Sequence, residues 1–373
     1  GNTIKAVKEN LRAIPQHGIG FGVLKYVGKQ LEAPVLNLEE KSQISFNYLG
    51  QWSLEKEGDF RFSTKDIGKS LSPDNELEYG LNVISEVKDN CFTVYWLYSS
   101  CQYKKETIDR IAKSYIDFLR ALIAHCTSIT DTQYTPSDFP LCRLTQKPLD
   151  EIVKNKRIED LYPLSPMQAG LLFRSLYEPE ETELYVVQGV YEILGDLNGK
   201  LLHQAWEKIV ENTPVLRTAF YWEDVDDPLQ YVCSSIEVSW QEEDWRTLSI
   251  EDQEKKLTSL LETDRKRGFN LAEPPLFRLY LIKLEENRYY LIWSQHHILL
   301  DGWSGPLIIN DLLNFYAQVK RGHSINSSER FSYKEYISWL KNQDEIPLKE
   351  YWSEYLSGFE EPTWKKKKKE IVL

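Results

Sequence analysis

Apolar positions in this chain alternate between two spacings. At Ile4, Val7, Leu11 and Ile14 they recur every three or four residues up to Pro15, which predicts an opening amphipathic helix. Around 44–51, 79–87 and 91–98 the apolar, aromatic and β-branched residues gather in short runs, which predicts three strands. Helical spacing returns at Ile108, Ile111, Tyr115, Phe118, Leu119, Leu122 and Ile123, so a long amphipathic helix is expected over 105–126. From about 127 to 157 the pattern loosens into Thr, Ser, Asp and three prolines, and a domain boundary is expected near 150.

The second half begins with Pro163 and Pro166, which stiffen an extended entry, and Ser165-Pro166 starts a helix expected over 167–176. A strand over 184–194 leads through Gly195 to a helix carrying Leu201, Leu202, Ala205, Trp206, Ile209 and Val210 on one face, ended by Pro214. Residues 215–220 read as an apolar strand interrupted by Arg217, a cation that needs a partner if it is buried. The run through Pro274-Pro275 to Ile282 is a turn feeding a strand that should pair with the one leading to His296. Near the end, Tyr336, Trp339, Leu340, Tyr351, Trp352 and Tyr355 fall at roughly helical spacing, a stripe expected to be core.

Chemistry concentrates in residues 293–304, Trp-Ser-Gln-His-His-Ile-Leu-Leu-Asp-Gly-Trp-Ser. The aromatic and branched run 288–293 predicts a buried strand, and Asp301-Gly302 signals a turn. Ser304 is placed to cap a helix with Leu307, Ile308, Leu312, Leu313 and Phe315 at helical spacing. His297 thus sits near a strand end, where an imidazole can face a cleft and take a proton from an amine near neutral pH. Asp301 is a fixed charge that could order the turn. From the residues alone the pair also reads as two ordinary polar side chains, or as half of a metal site that lacks a third ligand at zinc spacing.

The 373 residues suffice for two or three domains with sizeable cores, and the net charge of −12 argues against nucleic acid as a general partner. The one strongly basic run, Lys365 to Lys369, reads as a solvated tail. No stretch has the length of a membrane helix and no signal-peptide pattern opens the chain, so a cytoplasmic protein is expected. The five cysteines include no C-x-x-C pair, and reduced thiols are expected. Gly18, Gly20 and Gly22 lack the strand and the Lys-Ser/Thr of a phosphate loop and read as a loosened loop. The single methionine, Met167, lies deep in the sequence, which suggests a fragment.

The string His-His-x-x-x-Asp-Gly-Trp-Ser at 296–304 resembles the signature of condensation domains of nonribosomal peptide synthetases. Ser165-Pro166-Met167-Gln168 followed by Gly170-Leu171-Leu172-Phe173 resembles the first condensation motif. Leu216-Arg217-Thr218 with Phe220 resembles the second, although Asn212-Thr213 stands where that family usually has Arg-His. A different resemblance covers the start of the chain. Arg12-Ala13-Ile14-Pro15, residues 18–22 and Phe46-Asn47-Tyr48-Leu49-Gly50-Gln51 look like the last motifs of an epimerization domain, and residues 138–149 look like the connector that follows one.

These resemblances imply an α/β, chloramphenicol-acetyltransferase-like fold of mixed sheets packed with helices. They divide the chain into a C-terminal epimerization lobe at 1–145, a linker at 146–158 and the N-terminal lobe of a condensation domain at 159–373. They imply amide formation between a donor acyl thioester and an acceptor aminoacyl thioester. No cofactor would be bound directly, since both substrates ride on phosphopantetheine arms of upstream and downstream peptidyl carrier domains. The other expected partners are an N-terminal epimerization lobe and a C-terminal condensation lobe outside this chain, with neither nucleic acid nor membrane. In the site, His297 would orient or deprotonate the acceptor amine, His296 would support the loop, and Gly302 would leave backbone room. Arg217 would pair with Asp301 to hold the histidine loop, and Asn47 and Tyr48 would border the cleft of the epimerization lobe. An epimerization lobe upstream further implies a D-configured donor. Alternatives are that the second unit is another epimerization domain, that the chain is a non-catalytic scaffold or degraded remnant, or that it transfers to a soluble acceptor.

Overall fold

The computed structural model describes residues 1–27, 42–52, 65, 68, 72, 78–129, 132–178, 180–323 and 332–359; the lysine run 365–369 lies outside them. Two compact units divide the chain, Leu11–Thr132 and Gly1–Asn10 together with Gln133–Leu373. Helix α1 (Asn2–Arg12) opens the chain. After the turn at Pro15, the glycine-rich stretch forms a short helical segment, α2 (Ile19–Gly22).

In the smaller unit, strands β1 (Ile44–Trp52), β2 (Leu81–Lys88) and β3 (Cys91–Tyr98) form one sheet in that order. β1 runs parallel to β2, and β3 returns antiparallel through Asp89 and Asn90, both at positive φ as a tight two-residue hairpin demands. Helix α3 (Lys105–Ser128) packs its first turns on this sheet, where Ile108 joins Leu81 and Val83 and Tyr115 meets Trp96 edge to face at 5.7 Å. Further along α3, Phe118, Leu122 and Ile123 are exposed, so its apolar stripe is longer than the sheet it covers.

The larger unit contains the rest. Helix α4 (Gln146–Ile152) is followed by β4 (Ile158–Pro163), α5 (Pro166–Tyr177), β5 (Val186–Leu194) and α6 (Gly199–Asn212). Then come β6 (Thr218–Tyr221), β7 (Leu229–Cys233), β8 (Trp240–Asp244), α7 (Ile250–Arg267), β9 (Phe277–Glu285) and β10 (Arg288–His296). Helices α8 (Ser304–Lys320), α9 (Tyr333–Lys341) and α10 (Glu345–Tyr355) close the order. One sheet has the order β5-β10-β9-β8, a second β4-β7-β6. The expected pairing of the strand after Pro275 with the strand ending at His296 is the β9–β10 ladder. Among the described residues no helix is long and apolar enough to cross a membrane.

The stretch read as a linker, 146–158, includes α4, whose Leu149 and Ile152 are fully buried against Leu161, Ala219 and Tyr231. Three residues apart on a helix, they share one face and insert into the second sheet's core. Ion pairs from α1, Lys5 to Asp150 at 2.7 Å and Lys8 to Asp138 at 2.6 Å, tie the start of the chain to the same region.

Two other expectations are corrected. Residues 215–220 are not one strand: Pro214, preset for a helical first position, starts a single 3₁₀ turn through Arg217, and the strand begins only at Thr218. The aromatic stripe over 333–356 is not core either, since Tyr336, Trp339, Tyr351, Trp352 and Tyr355 are all exposed; Ile337 is the one buried residue of α9. Helical spacing groups side chains on a face without saying whether that face is covered.

β10 carries the core. Its Leu291 and Trp293 pack with Trp206 and Ile209 of α6 and Ile308 and Leu312 of α8, while Ile292 on the other face packs near Leu257, Leu260 and Leu261 of α7. Under α7 lies a buried polar cluster. Arg278 Nε meets Asp264 Oδ1 at 2.5 Å and the guanidinium donates to the carbonyls of Gly268 and Asp264, while Tyr280 and Gln188 donate to the same carboxylate at 2.7 and 2.9 Å. Burial alone would raise the Asp264 pKa, but hydrogen bonds from Arg278, Ser294 and Tyr280 outweigh it and the carboxyl is held low. Arg278→Ala strands this carboxylate in the core and is expected to destabilise the larger unit by about 3–5 kcal/mol. Urea unfolding followed by tryptophan fluorescence checks this; a midpoint equal to that of the unaltered protein rules out a paired, desolvated Asp264.

Candidate functional site

Because β10 is the inner strand between β5 and β9, its backbone is bonded on both sides to its last residue. His296 N–H donates to Leu276 O at 3.0 Å and His297 N–H to Tyr185 O at 2.8 Å. Successive side chains of an extended strand point to opposite faces, so this clamped end sends the two imidazoles in opposite directions. His296 is buried at 3% exposure, edge-on to Tyr185 and Phe269, whereas His297 is exposed.

The two rings hold different protons. His296 Nδ1 accepts the Ile298 N–H at 3.2 Å, so in a neutral ring its hydrogen resides on Nε2. His297 Nδ1 lies 2.8 Å from the carbonyl oxygen of Leu300, and a carbonyl only accepts; its hydrogen is therefore on Nδ1, and Nε2 has a free lone pair. Burial, with a smaller push from His297, lowers the His296 pKa to about 4. His296 is thus a neutral brace for the turn, and His297 is the ring with an acceptor to offer.

Asp301 ends the turn. Its Oδ1 accepts from the backbone N–H and the hydroxyl of Ser304 at 2.9 and 2.6 Å, and these bonds hold its pKa low. The expected capping role of Ser304 is corrected: the capping side chain is Asp301, and Ser304 is the first helical residue of α8. A Cβ on Gly302 would meet no atom within 4 Å, so the glycine borders open space.

Arg217 does not pair with Asp301. Its Nε donates to Val210 O at 3.0 Å, and its other nitrogens reach Glu159 Oε2 at 2.7 Å, Glu211 O at 3.3 Å and Cys233 O. The 3₁₀ turn directs the guanidinium at the C-terminal carbonyls of α6, which carry negative partial charge and attract a cation. Arg217 therefore braces the α6–β7 packing, and Asp301 is satisfied locally. Asn47 and Tyr48 lie in the smaller unit, exposed on β1. The structure thus gathers His296, His297, Asp301 and Gly302 in one turn, places Arg217 elsewhere in the same unit, and has Asn47 and Tyr48 in the other.

Two residues to which the sequence pattern assigns no role fix the turn. Gln168 is buried in α5, where it forms a reciprocal capping box with Ser165. Its Nε2 donates to Ile298 O at 3.3 Å, and its Oε1 accepts from Gln230 Nε2 at 2.9 Å. Gln230 in turn donates to Pro163 O at 3.0 Å. The Ser-x-x-Gln spacing advertises the capping box, but Gln230 stands between apolar strand residues with no local sign of its partner. Together with Tyr333, whose hydroxyl is 3.2 Å from Ser165 Oγ, these elements enclose a cavity of about 540 Å³ lined by His297, Asp301, Gln168 and Leu307. That volume is in the range of small-molecule sites.

The sequence profile of the condensation domain matches residues 1–142 and 158–367. The chain belongs to the condensation domain family of nonribosomal peptide synthetases. To bacitracin synthase 3 of Bacillus licheniformis it is 35% identical over 373 residues, 98% of this chain and 6% of that protein. It is 39% identical over 368 residues to a component of the linear gramicidin synthase of Brevibacillus parabrevis, covering 97% of this chain and 7% of that protein. It therefore spans a small part of the length of these relatives. The starter condensation domain of rhizomide synthetase superposes with a TM-score of 0.50 at 20% identity over 58% of this chain and 49% of that one, a likeness of fold. The condensation domain fold, chloramphenicol-acetyltransferase-like, is the one expected from the sequence.

Two outcomes are expected at this site. As pH falls from about 6.5 toward 4, the unfolded chain protonates His296 while the folded one does not, so stability is complete above 6.5 and lost by up to about 3 kcal/mol on acidification. His296→Asn should flatten that part of the stability–pH curve, and an unchanged slope by denaturant titration speaks against a neutral buried His296. For the corrected pairing, Arg217→Ala and Asp301→Ala should add within about 0.5 kcal/mol in a double-mutant cycle; a larger coupling revives a direct ion pair.

Proposed function

We propose that the larger unit is the histidine-bearing lobe of a condensation domain that forms an amide bond between a carrier-bound donor acyl thioester and a carrier-bound aminoacyl acceptor. The observation that carries this is His297. It is exposed on a cavity, with Nδ1–H donating to the Leu300 carbonyl and Nε2 left as a proton acceptor. An acceptor amine placed at Nε2 is oriented by hydrogen bonding, and its proton has a place to go as the nitrogen attacks the thioester carbonyl. The thiolate of the donor arm is the leaving group and takes up the proton. His296 holds the turn, Asp301 fixes the start of α8, Gly302 leaves space for an arm, and Gln168 and Gln230 anchor the loop from below.

In this reading phosphopantetheine arms enter as parts of the substrates, and the partners are peptidyl carrier domains on either side. Residues 1–145 are proposed as the C-terminal lobe of an epimerization domain on the strength of the motifs around 12–22 and 46–51, with Asn47 and Tyr48 on its cleft side. Residues 159–373 then form a condensation lobe that is completed by another lobe.

The test uses the synthetase that carries this chain, with donors ending in a D- or an L-residue loaded on the upstream carrier. The D-terminated donor should be preferred, and His297→Ala should lower amide yield by about 100-fold or more with the folded fraction unchanged by circular dichroism. Wild-type yield from the His297→Ala protein overturns the role of His297. Equal use of both donors, or an L preference, overturns the epimerization reading of residues 1–145.

A further inference from the structure

The cavity beside His297 is walled mostly by aliphatic side chains. They come from four elements: Leu171 of α5, Val215 of the 3₁₀ turn after α6, Leu299 and Leu300 of the histidine turn, and Leu307 and Ile308 of α8. The polar groups deepest in the same wall are committed to one another. Ser165 Oγ accepts the Gln168 N–H at 3.2 Å and lies 3.2 Å from the Tyr333 hydroxyl. The Gln168 carboxamide is occupied by Gln230, by the Ser165 N–H and by Ile298 O. Groups satisfied in this way ask nothing of a ligand. Asn212 and Thr213, at the end of α6, also line the cavity and add hydrogen-bonding groups but no charge.

Charge is nearly absent from the lining. Among the described residues Asp301 is its one carboxylate, no Lys or Arg lines it, and Asp301 Oδ1 already accepts two donors from Ser304. An anion entering here meets a like charge and no counter-ion. A cation must leave water for aliphatic walls, and its single counter-charge is an exposed carboxylate that is already hydrogen-bonded, so the lost hydration is not replaced. The occupant follows from the position of the amine. In an aminoacyl thioester the side chain leaves the same carbon that carries the amine, so an amine held at His297 Nε2 starts its side chain beside the space that His297 lines. At about 540 Å³ that space exceeds a single side chain, which leaves room for the thioester end as well. We propose that this cavity is the side-chain pocket for the acceptor and that it selects an uncharged, aliphatic aminoacyl group over acidic and basic ones. The proposal rests on the amide-forming reading, which supplies the position of the amine.

The experiment sets norleucyl, glutamyl and lysyl acceptors in competition, since all three have unbranched side chains and they differ in charge. Each is attached chemically, as its pantetheine thioester, to the acceptor carrier of the synthetase that carries this chain; one donor is supplied and the amide products are compared by mass spectrometry. The norleucyl product should exceed each of the others by about tenfold or more. Leu307→Lys places a cation in the wall at a position that is 57% exposed, where folding tolerates it, and should raise the ratio of glutamyl to norleucyl product by about tenfold. A merely structural role for Leu307 would instead lower all three products alike. Norleucyl product no greater than the glutamyl or the lysyl, or a glutamyl ratio that Leu307→Lys leaves unmoved, overturns the pocket while the amide-forming reading stands. No amide from any acceptor overturns that reading, and the pocket with it.

Discussion

The backbone clamp at the end of β10 is the constraint on which the site depends. An inner strand bonded on both sides has no freedom to slide or twist at its terminus, so the donations from His296 to Leu276 and from His297 to Tyr185 fix the last φ/ψ pair before the turn. A one-residue slip would exchange the two histidines between faces, placing the reactive ring in the core and the brace in the open. The packing of Leu291, Trp293 and Ile292 against helices on both faces makes such a slip costly, since each face would have to bury the other's side chains.

The parts of this architecture governed by near neighbours are legible in the sequence. Strands β1, β3 and β10, helices α3, α5, α6 and α8, and the pairing of β9 with β10 follow from periodicity and turn residues, and the His-His-x-x-x-Asp-Gly string places the site within one turn. What the sequence does not announce is partner choice over distance. Arg217 does need a counterpart, but its partners are carbonyls at the end of the preceding helix and Glu159, and only the 3₁₀ turn after Pro214 directs it there. Gln230 and Gln168, 62 residues apart, have no pattern that signals their contact.

The exposed aromatic residues of α9 and α10 make a related point. Their spacing tells correctly that they share a helix face, while coverage depends on what lies opposite, a property of the assembled chain. Likewise, α4 looks like part of a connector because its surroundings are rich in Thr, Ser and Pro, yet two apolar residues three apart suffice to seat a short helix in a core. Composition over a window averages away such pairs.

The opposed tautomers of His296 and His297 give the turn a direction. Two identical letters side by side in the sequence look like duplicated chemistry, but the backbone assigns one ring a hydrogen on its near nitrogen and the other a hydrogen on its far nitrogen. The pair therefore divides its hydrogen-bonding roles: His297 presents an acceptor nitrogen to the cavity it lines while His296 keeps only a donor to offer, so neither residue can stand in for the other.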